Sequence, residues 1–188
     1  METILKKEII LNKNCCRAVG VFSFVLLIAL GAFVRLPLPF TPVPVTLQTF
    51  FVLLAAAVLG GNLGTLTQLI YIGLGLSGMS VFTGSGSGMF YLLGPTSGYL
   101  LGFVLASILV SRFIRRVESR PVFAFLLFLA ADFILLACGT FWLKFILGID
   151  IQKALFIGFV PFIAGDVFKV AALTAVFFKF KARFRQIF

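Results

Sequence analysis

Apolar residues run along this chain in long blocks, and the charges gather between the blocks rather than alternating with them. A helix that crosses a bilayer needs about 20 mostly apolar residues. Blocks of this kind predict spanning helices near 17–34, 45–60, 63–77, 95–112, 121–145 and 154–178. The second and third are short and are separated by little more than Gly60, Gly61 and Asn62, so they form one hairpin or two tilted half-spans. The first block follows Lys6, Lys7, Lys13 and Arg17, which imitates a signal peptide. No clean small-x-small cleavage site follows, and the apolar run reaches Val34, so it reads as a retained first helix.

Composition strengthens this pattern. Of 188 residues, 61% are hydrophobic and 25 are phenylalanine, and mean hydropathy is +1.17. A soluble domain this apolar could not cover its core with polar groups. The expected fold is an all-α integral membrane bundle of six transmembrane helices, a single domain over 1–188. A basic segment, 1–16, precedes the bundle, and a basic tail, 179–188, follows it.

The net charge of +10 could suggest nucleic acid, but its placement says otherwise. With six spans, 12 of the 16 basic residues fall on one side: Lys6, Lys7, Lys13 and Arg17, then Arg112, Arg115, Arg116 and Arg120, then Lys179, Lys181, Arg183 and Arg185. The other side holds Arg35, Lys144 and Lys153. This asymmetry puts both termini in the cytoplasm and reads as contact with a lipid bilayer, with no nucleic acid.

Several chemistries are excluded. The chain has no histidine, which removes the commonest general base and metal ligand. It also argues against a rhomboid-like intramembrane protease with a serine–histidine pair. Cys15, Cys16 and Cys138 have neither zinc-site nor redox spacing. No metal and no cofactor is expected, and no catalytic residue is assigned.

The polar residues inside apolar blocks are the informative ones. Asp132, Asp166 and Lys169 each carry charge within a predicted span, at roughly 2.5–3.5 kcal/mol apiece on insertion scales. Asp166 and Lys169 are three apart and share a helical face. They form either a self-neutralising pair or a ligand site in which Asp166 accepts N–H groups and Lys169 donates to an oxygen. Asp132 has no partner nearby in sequence: it is protonated, faces a cavity, or pairs with another helix. Pro161, between Gly158 and Gly165, predicts a kink beside them.

Two uncharged loops lie on the less basic side. "RLPLPFTPVPVTLQTF" holds Pro37, Pro39, Pro42 and Pro44 and should be extended and stiff, with Thr46, Gln48 and Thr49 opening the second span towards the outer mouth. "GLSGMSVFTGSGSGMFYLLGP" alternates Gly84, Gly86 and Gly88 with Ser85 and Ser87. It lacks the lysine of a phosphate-cradling loop. It reads as a lid over a small organic molecule or as a re-entrant turn. Small residues recur at Gly94, Gly98, Gly102 and Ala106, and again at Gly60 and Gly64. Such stripes let helices approach closely, either within the bundle or against a partner protein.

Four blocks in order, "PVTLQTFFVLLAAAVLGGNLG", "GLSGMSVFTGSGSG", "LLGPTSGYLLGF" and "GDVFK", resemble the BioY family. These are biotin-binding S components of energy-coupling factor (ECF) type ABC vitamin transporters. The resemblance runs from about Arg35 to Thr174. It implies a six-helix bundle in the bacterial cell membrane that captures biotin from outside. It also implies a transmembrane coupling subunit and two cytoplasmic ATPase subunits, which alone hydrolyse ATP. Asp166 and Lys169 occupy the family's Gly-Asp-x-x-Lys block. Thr46 and Gln48 match Pro-Val-Thr-Leu-Gln, Gly84 and Ser85 lie in the glycine-rich block, and Tyr91 lies just beyond it. These seven are the candidate substrate-binding residues. The Ala-x-x-x-Ala stripe of related S components is absent from the first helix, where Phe22 follows Ala18 and Phe33 follows Ala29. Read from the residues alone, the alternative is a stand-alone proton-coupled secondary transporter with Asp132 or Asp166 as relay.

Overall fold

A computed structural model describes residues 13–187. Seven helices follow in order: α1 Lys13–Phe33, α2 Gln48–Leu59, α3 Gly61–Leu76, α4 Ser97–Val117, α5 Pro121–Leu147, α6 Ile151–Gly158 and α7 Val160–Ile187. Helices α6 and α7 continue one another across a break, so the described residues make the six rods that the hydrophobic blocks predict. Four of them are long and apolar enough to cross a membrane: α1, α4, α5 and the α6–α7 rod. Lys6 and Lys7 of the basic segment lie outside the described residues.

The helix ends follow local chemistry. Helix α2 stops at Gly60 (φ +60°) and α3 starts at Gly61 (φ +49°), a reversal that needs two positive-φ residues in succession. Pro121 opens α5, where its missing N–H costs nothing. Gly148 closes α5 in the left-handed region, and Ile149 N–H donates back to the Lys144 carbonyl at 3.2 Å.

Pro161 breaks the last rod as its position predicts. At Phe159 the backbone leaves helical geometry (φ −126°, ψ −59°). Phe162 N–H donates to the Phe159 carbonyl instead of that of Gly158. The Gly158 carbonyl thus loses its helical donor, and Tyr99 Oη on α4 supplies one at 2.7 Å. A buried carbonyl left bare by a kink is expected to find such a substitute.

The proline-rich segment departs from the expected simple extension. Arg35–Leu36 (β1) pairs antiparallel with Val45–Thr46 (β2), Arg35 opposite Thr46, so the four prolines sit in a hairpin capping one end of the bundle. The fold is therefore helical with one small two-stranded ribbon. The glycine-rich segment carries two short 3-10 turns, Thr83–Ser85 and Met89–Leu93.

Helix α2 sits at the centre. It packs against α1, α3, α4, α5 and α7, and every residue from Val52 to Leu59 is buried. The small-residue stripe turns out to serve packing inside the bundle, where α4 lies against α5. A methyl added at Gly102 would stand 2.8 Å from Leu135 Cα, and one at Gly98 would stand 2.7 Å from the Cys138 carbonyl oxygen. Gly94 precedes the helix, and its carbonyl accepts a hydrogen bond from Trp142 Nε1 at 2.9 Å. Gly60 and Gly64 do not act as a pair: Gly60 makes the turn, and Gly64 lets α3 meet Ala56 of α2. On α1, Val19, Phe22, Leu26, Leu30 and Phe33 form an exposed apolar stripe.

Backbone-to-backbone seating at Gly102 predicts that Gly102→Ala destabilises the protein by about 1–3 kcal/mol, because Leu135 main chain cannot move aside cheaply. Gly73→Ala, with no atom within 4 Å of the new methyl, is expected to gain up to about 1 kcal/mol. Thermal unfolding in detergent checks both, and equal midpoints for the two variants would contradict the seating.

Candidate ligand-binding site

The ribbon, the glycine-rich segment and the ends of α2, α3, α4, α5 and α7 enclose a cleft. Its unfilled space is about 540 Å³, the open mouth included. Only about 50 Å³ admits the centre of a water molecule, so the cleft is narrow. Apolar walls come from Val43, Leu100, Phe103, Leu135, Leu136 and Phe162. Polar groups come from Thr46, Gln48, Thr49, Tyr71, Thr83, Tyr91, Tyr99, Asp166 and Lys169.

The ammonium of Lys169 is fully engaged. It donates to the Thr46 carbonyl at 3.1 Å and to Thr49 Oγ1 at 2.8 Å, and it forms an ion pair with Asp166 Oδ1. Three N–H groups thus meet three acceptors, which is what a cation needs in an apolar bundle. The helical spacing of Asp166 and Lys169 makes the pair, and the start of α2 completes it.

Asp166 is left with capacity. It is 3% exposed, and Lys169 is the cation that reaches it among the described residues. Asp132 on α5 is buried and approaches Asp166 across the helix interface. Asp132 thus belongs to the charged cluster from a different helix, and it lies behind the cleft, against Thr49, Phe50 and Lys169.

Gln48 is an anchor. Its Nε2 donates to Tyr71 Oη at 2.7 Å, and its Oε1 accepts from Thr83 Oγ1 at 3.0 Å. Tyr71 Oη in turn donates to the Val81 carbonyl at 2.9 Å. The first turn of α2 therefore holds the glycine-rich segment at two points. Aromatic stacking adds a third: Phe82 lies 4.6 Å from Tyr91 with nearly parallel rings and 5.6 Å edge-on from Tyr71. Gly88 N–H also donates to the Gly75 carbonyl at 2.8 Å. The segment is tied down over the cleft.

The structure brings Thr46, Gln48, Tyr91, Asp166 and Lys169 to one cleft. Gly84 and Ser85 lie on the segment above and do not line it; both have positive φ, +75° and +61°, which turns the chain so that Thr83 points to Gln48. Thr49, Thr83 and Tyr99 line the cleft without having been singled out as site residues from sequence. Thr49 alone carried a signal, as a polar residue at the start of an apolar span.

Comparison with known proteins agrees with this architecture. Residues 7–186 match the BioY family. The chain belongs to the BioY family. Among its relatives, the biotin transporter BioY of Thermotoga maritima is 44% identical over 159 residues, which cover 81% of this chain and 89% of that protein. A biotin transporter of the family from Lactococcus lactis subsp. cremoris is 39% identical over 153 residues, 79% of this chain and 84% of that protein. The fold is similar to that of an S-component for biotin from an ECF-type ABC transporter, known from a 2.1 Å crystal structure, with a TM-score of 0.86. That match covers 92% of this chain and 94% of the other at 23% identity. The relatives named are transporters rather than enzymes, and they fit a multi-pass protein of the bacterial membrane.

The anchoring role of Tyr71 predicts that Tyr71→Phe leaves the Gln48 amide and the Val81 carbonyl without their shared partner. Buried groups orphaned in this way cost about 1–3 kcal/mol. A lowered unfolding midpoint, with faster limited proteolysis within 77–96, is the expected result. Wild-type behaviour in both assays would refute the anchor.

Proposed function

We propose that this BioY-family chain is the membrane subunit that captures biotin from outside the cell for ATP-driven uptake. In this reading both termini face the cytoplasm, as the clustering of basic residues at the end away from the cleft supports. A transmembrane coupling subunit and two cytoplasmic ATPases supply the energy. This chain binds the vitamin and hydrolyses nothing.

The observation that carries the reading is the buried carboxylate of Asp166, with no hydrogen-bond donor beyond its charged cluster among the described residues, at a cleft with apolar walls. Biotin presents a ureido group with two N–H donors and one carbonyl, fused to a thiophane ring and bearing a carboxylate tail. A ureido N–H supplies the donor that Asp166 lacks. The rings suit walls of Phe103, Leu135 and Phe162, with Tyr91 above. Lys169 reaches the ligand by exchanging its Thr46 or Thr49 bond for a ligand oxygen. Gln48 and Thr46 hold the entrance, and Gly84 and Ser85 act through the backbone shape of the covering segment. The narrow cleft has to widen for a bicyclic ligand, and the segment over it is held by side-chain bonds rather than by a helix, so it is the part that moves.

Isothermal titration of the detergent-solubilised full chain tests this, with thiamine and riboflavin as controls. One-to-one binding of biotin alone is expected, without partner or nucleotide. Asp166→Asn and Lys169→Ala are each expected to weaken it at least about tenfold, or about 1.4 kcal/mol. Folded protein that gives no heat with biotin, or variants with unchanged affinity, would overturn the assignment of ligand or residue respectively.

A further inference from the structure

The end of the bundle away from the cleft holds a second cavity, where α2, α4 and α7 meet. About 480 Å³ of it is open to water, far more than in the cleft. Its buried lining, Val58, Ile114 and Phe177, makes an apolar floor. Its more exposed lining carries three cations, Arg115, Lys181 and Arg185, and one carboxylate, Glu118.

The charges do not cancel. Arg185 forms an ion pair with Glu118 and so neutralises it. Lys181 donates to the Glu118 main-chain carbonyl at 3.0 Å, which leaves its charge uncompensated. Arg115 makes no hydrogen bond or ion pair among the described residues. Among the described residues, two cations over an apolar floor are thus without an anion.

Basic and aromatic side chains alternate at this end. Arg116 lies over Phe113, Arg120 over Phe123, Lys179 over Phe180 and Lys181 over Phe178, at 5.1, 5.6, 5.6 and 4.6 Å from the ring centres. In each pair the charged head itself lies over the ring face, an attraction that keeps cations beside apolar surface. Basic hollows between helices at a membrane–water boundary attract phosphate head groups.

We propose that this cavity binds the phosphate of an anionic phospholipid, with Arg115 and Lys181 on the phosphate and the start of the acyl chains against Val58, Ile114 and Phe177. A free phosphate would use the cations but leave the apolar floor wet, so the lipid is the ligand that uses both surfaces. The site lies at the opposite end of α2 from the vitamin cleft and is independent of what that cleft binds.

Native mass spectrometry of the full chain in neutral detergent tests the proposal. Phosphatidylglycerol, phosphatidylcholine and inorganic phosphate are titrated separately, and the unfolding midpoint is followed in parallel. The wild type is expected to retain one phosphatidylglycerol, with a raised midpoint, where phosphatidylcholine is not retained. The double variant Arg115→Gln, Lys181→Gln should lose about tenfold or more in retention, whereas Arg116→Gln, Arg183→Gln, which removes equal charge from exposed residues outside the cavity, should stay within about twofold. Circular dichroism and gel filtration establish that both are folded. Equal loss in the two double variants would reduce the effect to diffuse attraction and overturn the site. Equal retention of both lipids, or of neither, would overturn it as well. A midpoint rise with inorganic phosphate matching that with phosphatidylglycerol would overturn the lipid as the source of the phosphate.

Discussion

One ammonium group organises the end of this protein that holds the cleft. Lys169 sits in a span, where a cation without partners would be strongly disfavoured. Its three N–H groups reach Asp166 on its own helix and, across the bundle, the Thr46 carbonyl and Thr49 hydroxyl. The last helix is thereby tied to the first turn of the second helix and to the ribbon strand before it. A pair of opposite charges could have closed on itself and left nothing for a ligand. Here the lysine is saturated while the carboxylate is not, since one ammonium contact occupies only part of what two oxygens can accept. Asp132 sharpens the imbalance, because the cluster holds two carboxyl groups for one ammonium.

The central helix makes room for that cluster. Twelve residues of α2 span about 18 Å, well short of a hydrocarbon core about 30 Å thick. The missing depth lies at its N-terminal end, and non-helical chain fills it: the proline hairpin on one side and the glycine-rich segment on the other. Irregular backbone at membrane depth persists only where it is buried in protein or lines a cavity. Both conditions hold here, through the bonds of Gln48, Tyr71 and Thr83 and the stacked rings of Phe82 and Tyr91. The short helix, the two irregular segments and the cleft are consequences of one another.

Much of this was legible in the chain itself. Span positions could be read because charge and glycine punctuate the apolar blocks; most rod boundaries differ from expectation by a few residues, but the last helix continues nine residues past 178, to Ile187, through the segment expected to be a tail. Asp166 and Lys169 could be paired because three residues apart on a helix means side by side. Asp132 could not be given its partner, because its neighbour lies on another helix and no spacing encodes that. The stripe at Gly98, Gly102 and Ala106 announced a bare face, yet periodicity cannot say what a bare face touches; Leu135 and Cys138 answer that. Thr83 and Tyr99 were silent for a related reason. A threonine in a glycine-rich run looks like its serine neighbours, and a tyrosine near a helix start looks like packing, until Gln48 and the freed Gly158 carbonyl come within reach.

The two ends of the bundle use charge in opposite ways, and that bears on selectivity. At the cleft, charges are few, buried and held by their own neighbours. In the proposed reading, a ligand there is selected by whether it offers a donor to one oriented acceptor. A site built around a buried polar group discriminates strongly against analogues that leave the group unpaired, and only weakly by apolar size. At the far end, cations outnumber carboxylates and lie along aromatic rings near the water boundary, where attraction is long-ranged and tolerant of geometry. Such a field attracts anions at a distance, and the proposed lipid site adds an apolar floor that a free anion would not use. Directional recognition therefore belongs to the cleft, where low exposure gives each missing hydrogen bond its full weight.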